Sequence, residues 1–179
     1  MLAPPCDTLT TARDRSCQVR SRDHPYGLPG LSERWQKAVD DANIIFGNCF
    51  RIFLRCHRLG IPAIIENPGS SRLWLTDECL HALQLPKVDF FITDCCAHGA
   101  KWRKATSFLT THIDHFDAER LQKRCHARGG ICQYSGRKHL QLTGTAPGGT
   151  SWTRLAQAYP KRLAHHLAFC LTGIVRDMG

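Results

Sequence analysis

The stretch IPAIIENPG, residues 61–69, leaves room for one local structure. Gly60 and Pro62 close whatever precedes it, and Asn67, Pro68 and Gly69 close it off behind, so the apolar run between them reads as a short buried strand. That strand delivers a carboxylate, Glu66, to its C-terminal end. Ahead of it Trp35, Val39, Ala42, Ile45, Phe46, Cys49, Phe53 and Leu54 recur at helical spacing. They predict a helix from Ser32 and Glu33 to about Leu59, with Gly60 as the terminating glycine. Downstream, residues 71–84 are predicted as a short helix, 87–95 and 106–112 as strands, and 117–126 as a helix. An amphipathic helix over 152–171 is interrupted near Pro160. Residues 7–30 and 127–151, rich in Gly, Pro and polar side chains, read as loops. Helices alternating with strands predict an α/β sheet with flanking helices.

Charge and cysteine content narrow the function classes. Lys and Arg number 24 against 15 Asp and Glu, a net charge of +9, which favours polyanionic partners and nucleic acid first among them. No apolar run approaches the ~20 residues of a membrane span, and no secretory leader pattern opens the sequence. The expectation is an intracellular protein, nuclear or cytoplasmic, with no membrane partner. Its ten cysteines are then expected to be thiols rather than a disulfide framework. Cys49, Cys56 and Cys170 sit in apolar helical stretches, where cysteine acts as a small hydrophobe. The group Cys95, Cys96, His98, Cys125, His126, Cys132 and His139 holds enough ligands for zinc. It lacks a clean pair of CxxC or HxxxH knuckles, so the spacing assigns no metal site.

Chemistry in an open α/β sheet gathers beyond the carboxyl ends of the strands. Two residues are candidates there: Glu66, and Cys6 on the stiff turn Pro4-Pro5-Cys6. A thiol beside a carboxyl group suits covalent attack on an electron-poor ring, the carboxyl group donating a proton or hydrogen bond.

PPC followed some sixty residues later by ENP at a strand end resembles the DNA cytosine-5 methyltransferases. Two further blocks fall in the same order: DCCAHGAKWRKATSFLT, 94–110, at the family's basic stretch, and LAQAYPKRLAHHLA, 155–168, at its closing motif. The resemblance implies a partial Rossmann-like methyltransferase sheet, with S-adenosylmethionine as methyl donor and DNA as partner. It implies Cys6 as the nucleophile on cytosine C6 and Glu66 as the contact to N3 and the exocyclic amine. Asn67 would brace the loop, Arg103 would steady the base, and Gln157 would line the cofactor pocket. Arg13, Lys101, Trp102, Lys104, Arg137 and Lys138 would meet the nucleic acid, Trp102 by stacking.

The sequence departs from the family pattern at Pro68, Lys101, Ala105 and Asp7. Asp7 sets a negative charge beside the thiol, which Arg13 and Arg15 are placed to offset. No Gly-rich strand-to-helix turn precedes Cys6. The expected organisation is therefore one incomplete domain: residues 1–112 catalytic, 113–151 a variable basic region with Arg124 and Arg128, and 152–179 a C-terminal helix. A complementing N-terminal half is then an expected partner. A rival reading is a non-catalytic, basic nucleic-acid-binding domain stabilised by zinc. A third, a thiol hydrolase pairing Cys6 with His24 or His98, has only the abundance of histidine behind it.

Overall fold

The computed structural model describes residues 1–114 and 119–172, the side chain of Arg15 aside. Its elements run α1 (Glu33–Arg58), β1 (Ala63–Pro68), α2 (Asp77–Ala82), β2 (Val88–Asp94), β3 (Ala105–Thr111), α3 (Trp152–Leu155) and α4 (Lys161–Thr172). The three strands form an antiparallel sheet in the order β1-β3-β2. Leu2 adds a parallel bridge to Ile65, its amide donating to the Ile64 carbonyl (2.7 Å) while the Glu66 amide returns a bond to Leu2 (2.8 Å). The mixed α/β class expected from the sequence is what the chain adopts. By compactness the chain divides into two units: residues 1–90 with 107–113, and residues 91–106 with the remainder.

In the first unit α1 turns Val39, Ala42, Phe46, Phe50 and Phe53 inward, at the spacing of one helical face. It ends as its sequence requires. Gly60 takes φ +69°, and its amide bonds the His57 carbonyl (3.1 Å) while the Ile61 amide bonds that of Cys56 (2.9 Å). This paired arrangement uses up the last carbonyls of the helix. The core joins Phe46, Phe50 and Phe53 to Ala63 and Ile65 of β1, Leu73, Trp74, Cys79, Leu109 and Leu9. Trp74, buried in this core, meets Phe90 edge-on at 5.0 Å. No described helix is long and apolar enough to cross a membrane.

Residues 7–30 are irregular apart from a 3-10 turn at Thr11–Arg15, yet they bury one charge completely. Arg20 is 0% exposed. Its guanidinium donates to Thr8 Oγ1 through both Nε (3.3 Å) and one terminal nitrogen (3.1 Å), and to the carbonyls of Pro25 (2.6 Å) and Val39 (3.2 Å) and to Asn43 Oδ1 (2.8 Å). Burial, and then the nearby charge of Arg72, pull its pKa down to about 10, against an upward pull from Asp40.

In the second unit the helix expected over 117–126 is seen among the described residues only at Glu119, and it does not continue beyond it. Residues 115–118 lie outside the described part, and 121–126 are irregular beyond a turn. The reason is competition for backbone groups. The Lys123 carbonyl accepts from the Asp94 amide (2.8 Å) and the Cys125 amide donates to Asp94 Oδ2 (2.7 Å), so neither group is free for a helical ladder. The closing helix is broken where Pro160 predicted, into α3 and α4; residues 173–179 of its expected segment lie outside the described part.

Arg20→Lys keeps the charge but cannot reach four acceptors at once. It is expected to lower the unfolding free energy by about 3 kcal/mol, the cost of leaving several buried acceptors unmet. Urea unfolding followed by far-UV circular dichroism measures this; a loss under about 1 kcal/mol would show that the network carries little stability.

Candidate functional site

The segment bearing Cys6 is stitched to the end of β1 at successive points. After the Leu2 bridge, the Asn67 side-chain amide donates to the Pro4 carbonyl (2.8 Å). Pro4, Pro5 and the fixed carbonyl then set the direction in which the chain reaches Cys6. Cys6 opens the next turn, its carbonyl accepting from the amides of Leu9 (3.0 Å) and Thr10 (2.9 Å). Beyond it Thr10 bridges Ser71, the Arg72 amide bonds the Leu9 carbonyl (2.9 Å), and the Arg72 guanidinium grips both oxygens of Asp14 at 3.1 and 2.5 Å. Both flanks of the Cys6 turn are therefore anchored to the residues around the end of β1.

Three of the residues expected to carry chemistry thus lie on the two stitched segments: Cys6 on the N-terminal turn, Glu66 and Asn67 at the end of β1. Cys6 is half-buried, Glu66 is 8% exposed and Asn67 is buried at 1%. The Asn67 amide holds the Pro4 carbonyl, and its Oδ1 is buried with no hydrogen-bond partner among the described residues. Arg13 serves the same turn. Its Nε donates to the Asp7 carbonyl (2.5 Å) and its guanidinium lies 4.7 Å over the Trp35 ring.

The remaining expected residues belong to the second unit, where Asp94 is the organising group. It is 0% exposed, and its Oδ2 accepts from Arg103 Nε (3.2 Å), Arg124 Nε (3.2 Å) and the Cys125 amide (2.7 Å). Arg103 is therefore held by a carboxylate. The Lys104 ammonium donates to the Ala156 carbonyl (3.2 Å), whereas the side chains of Lys101, Arg137 and Lys138 are exposed. Trp102 lines an open cleft of about 360 Å³ with His98, Tyr159, Pro160, Lys161 and Arg162 among its walls. Its indole N–H is buried without a partner among the described residues. Gln157 is exposed on the turn after α3 and is outside the cleft lining.

Spacing alone did not reveal which cysteines and histidines meet. Cys96, Cys125, Cys132 and His139 bring their ligand atoms within 4.8 Å of one another. Cys125 Sγ lies 4.0 Å from Cys132 Sγ and 3.7 Å from His139 Nε2. The other three members of the sequence group do not belong to this cluster. Cys95 Sγ faces Thr106 Oγ1 at 3.9 Å. The His126 amide donates to the exposed Gln133 side chain (2.9 Å). His98 Nε2 is 2.8 Å from Thr93 Oγ1, which donates its own proton to the Lys123 carbonyl (3.2 Å), so Nε2 carries the proton of a neutral imidazole. Burial, then the charges of His166 and Lys123, hold His98 down at about 4.

Within the cluster, burial and the neighbouring thiols push Cys96 up. Burial also pushes Cys132 up, but hydrogen bonds from the Ser135 side chain, the Tyr134 and Ser135 backbone and His139 outweigh it and bring Cys132 down to about 6. Comparison with known proteins finds no matching family model, no matching curated protein and no matching solved structure.

Asn67→Asp replaces a donor with an acceptor facing the Pro4 carbonyl. It is expected to cost about 1–3 kcal/mol and to speed amide exchange at Leu9 and Thr10, whose bonds to Cys6 depend on the loop's position. Hydrogen-exchange mass spectrometry of the peptide covering residues 2–10 reads this directly. Unchanged exchange there would remove Asn67 from the role of brace.

Proposed function

We propose that the chain carries the nucleophile and base-recognition groups of a DNA cytosine-5 methyltransferase type of enzyme. The observation that supports this most is the stitching of the Pro4-Pro5-Cys6 turn to the end of β1, which puts a half-buried thiol on a loop fixed beside a buried Glu66. In this reading Cys6 Sγ forms a bond to C6 of a cytosine turned out of the helix stack. The electron pair of the C5–C6 bond moves to C5, and Glu66 holds N3 and the amino group so that the ring accepts that charge. The sheet is compatible with a Rossmann-like edge: a parallel neighbour at Leu2–Ile65 beside an antiparallel insertion is a common border of an otherwise parallel sheet. Exposed Lys101, Arg137 and Lys138 are suited to phosphate contacts.

In such chemistry S-adenosylmethionine supplies the methyl group. The cleft beside Trp102 does not fit it. Gln157 is outside the cleft, and the cleft walls carry Lys161 and Arg162 but no carboxylate to balance a sulfonium or receive ribose hydroxyls. No transfer step is therefore assigned to the described residues. The Cys96, Cys125, Cys132 and His139 cluster favours a second reading, a nucleic-acid-binding domain without catalysis.

Covalent capture separates the two, because addition of the thiol requires no cofactor. Oligonucleotides with 2-pyrimidinone in place of one cytosine, offered to the full chain, are expected to give a denaturant-stable adduct. Cys6→Ser should abolish it, and Glu66→Gln should slow its formation by about 100-fold, the usual scale for removing a general acid. No adduct with the wild-type chain, with or without S-adenosylmethionine and a cofactor-binding half, would sink the catalytic reading; an adduct that survives Cys6→Ser would do the same.

A further inference from the structure

We propose that Cys96, Cys125, Cys132 and His139 bind one zinc ion as a closed, four-ligand structural site. The inference is independent of the chemistry proposed for Cys6. All four side chains are buried, at 3%, 0%, 2% and 8% exposure. Zinc–sulfur bonds of about 2.3 Å and zinc–nitrogen bonds of about 2.0 Å place tetrahedral ligands roughly 3.4–3.8 Å apart. The separations of 4.0 Å (Cys125 to Cys132) and 3.7 Å (Cys125 to His139), with all four atoms inside 4.8 Å, need only a slight contraction around an ion.

A second observation points the same way. The segment from Arg124 to Leu140 has almost nothing apolar to fold around. Its buried cluster consists of Cys96, Cys125 and Cys132 with Ala127 against it, while Ile131 and Tyr134 are 52% and 44% exposed. A loop of this kind holds a defined shape when something other than a hydrophobic core ties it. The shape is defined: Ile131 bridges both Arg128 and Lys138, the Cys132 amide bonds the Arg137 carbonyl (2.8 Å) and the Gly136 amide the Cys132 carbonyl (2.9 Å). Gly136 takes φ +65°, which closes this turn around the Cys132 sulfur. Asp94 fixes the Cys125 amide from outside the cluster, as second-layer carboxylates do for metal ligands.

Three sulfurs and one imidazole select zinc over hard cations, and four protein ligands leave no position for a water or substrate. The ion's work would be to fasten the segment 124–140 to the 3-10 turn Cys95–His98 that carries Cys96.

The test is the metal content of the full chain, purified without chelator and measured by plasma mass spectrometry. One zinc per chain is expected. Cys132→Ser and His139→Ala should lose it, and Cys79→Ser, outside the cluster, should keep it. His139→Cys should also keep it, which separates loss of a ligand from loss of the fold. Cobalt(II) added to zinc-depleted protein should give the intense visible bands of a tetrahedral site with thiolate charge transfer. Reduced wild-type protein that takes up no stoichiometric zinc would overturn the proposal. So would metal content unchanged by Cys132→Ser and His139→Ala, or a Cys125–Cys132 disulfide in protein prepared under reducing conditions.

Discussion

Arg20 has no carboxylate in hydrogen-bond contact among the described residues, although it is wholly withdrawn from solvent. A buried charge survives only when its donors are met, and here four neutral acceptors meet them from three places. Thr8 belongs to the turn after Cys6, Pro25 to the long loop, and Val39 and Asn43 to α1. One side chain thereby fixes where the loop lies on the helix and where the Cys6 turn lies on both. Tyr26 extends the same junction: its hydroxyl donates to Glu78 (2.7 Å) and receives the Asp77 amide (2.8 Å) at the start of α2.

The second unit solves a parallel problem with the opposite charge. Asp94 is buried at the end of β2 and serves Arg103, Arg124 and the backbone of Cys125 through one oxygen. The basic block and the cysteine cluster are thus not separate features. Each depends on the same carboxylate, and the segment 121–126 gives up helical pairing to reach it.

What could be read in the sequence was what depends on local pattern. The α1 periodicity, the Gly60 stop, the strand ending at Glu66 and the break at Pro160 each rest on residues within a few positions of one another. Arg20 was invisible because an arginine in a polar, proline-punctuated loop reads as solvated until Thr8 and Asn43 are seen around it. The segment at 121–126 misled for a related reason: apolar spacing carries no trace of an aspartate captured from thirty residues away. The Cys/His cluster was recognised as rich in ligands, but Cys96 is separated from Cys125 by a whole strand, so spacing rules built on short knuckles could not choose among the candidates.

The neutrality of the acceptors around Arg20 has a bearing on how the protein can be handled. Ions in solution weaken attraction between opposite charges, and they leave a buried guanidinium bonded to carbonyl, amide and hydroxyl oxygens largely untouched. The junction that Arg20 makes between the Cys6 turn, the long loop and α1 is thereby insulated from ionic strength, unlike the ion pair of Arg72 with Asp14 nearby.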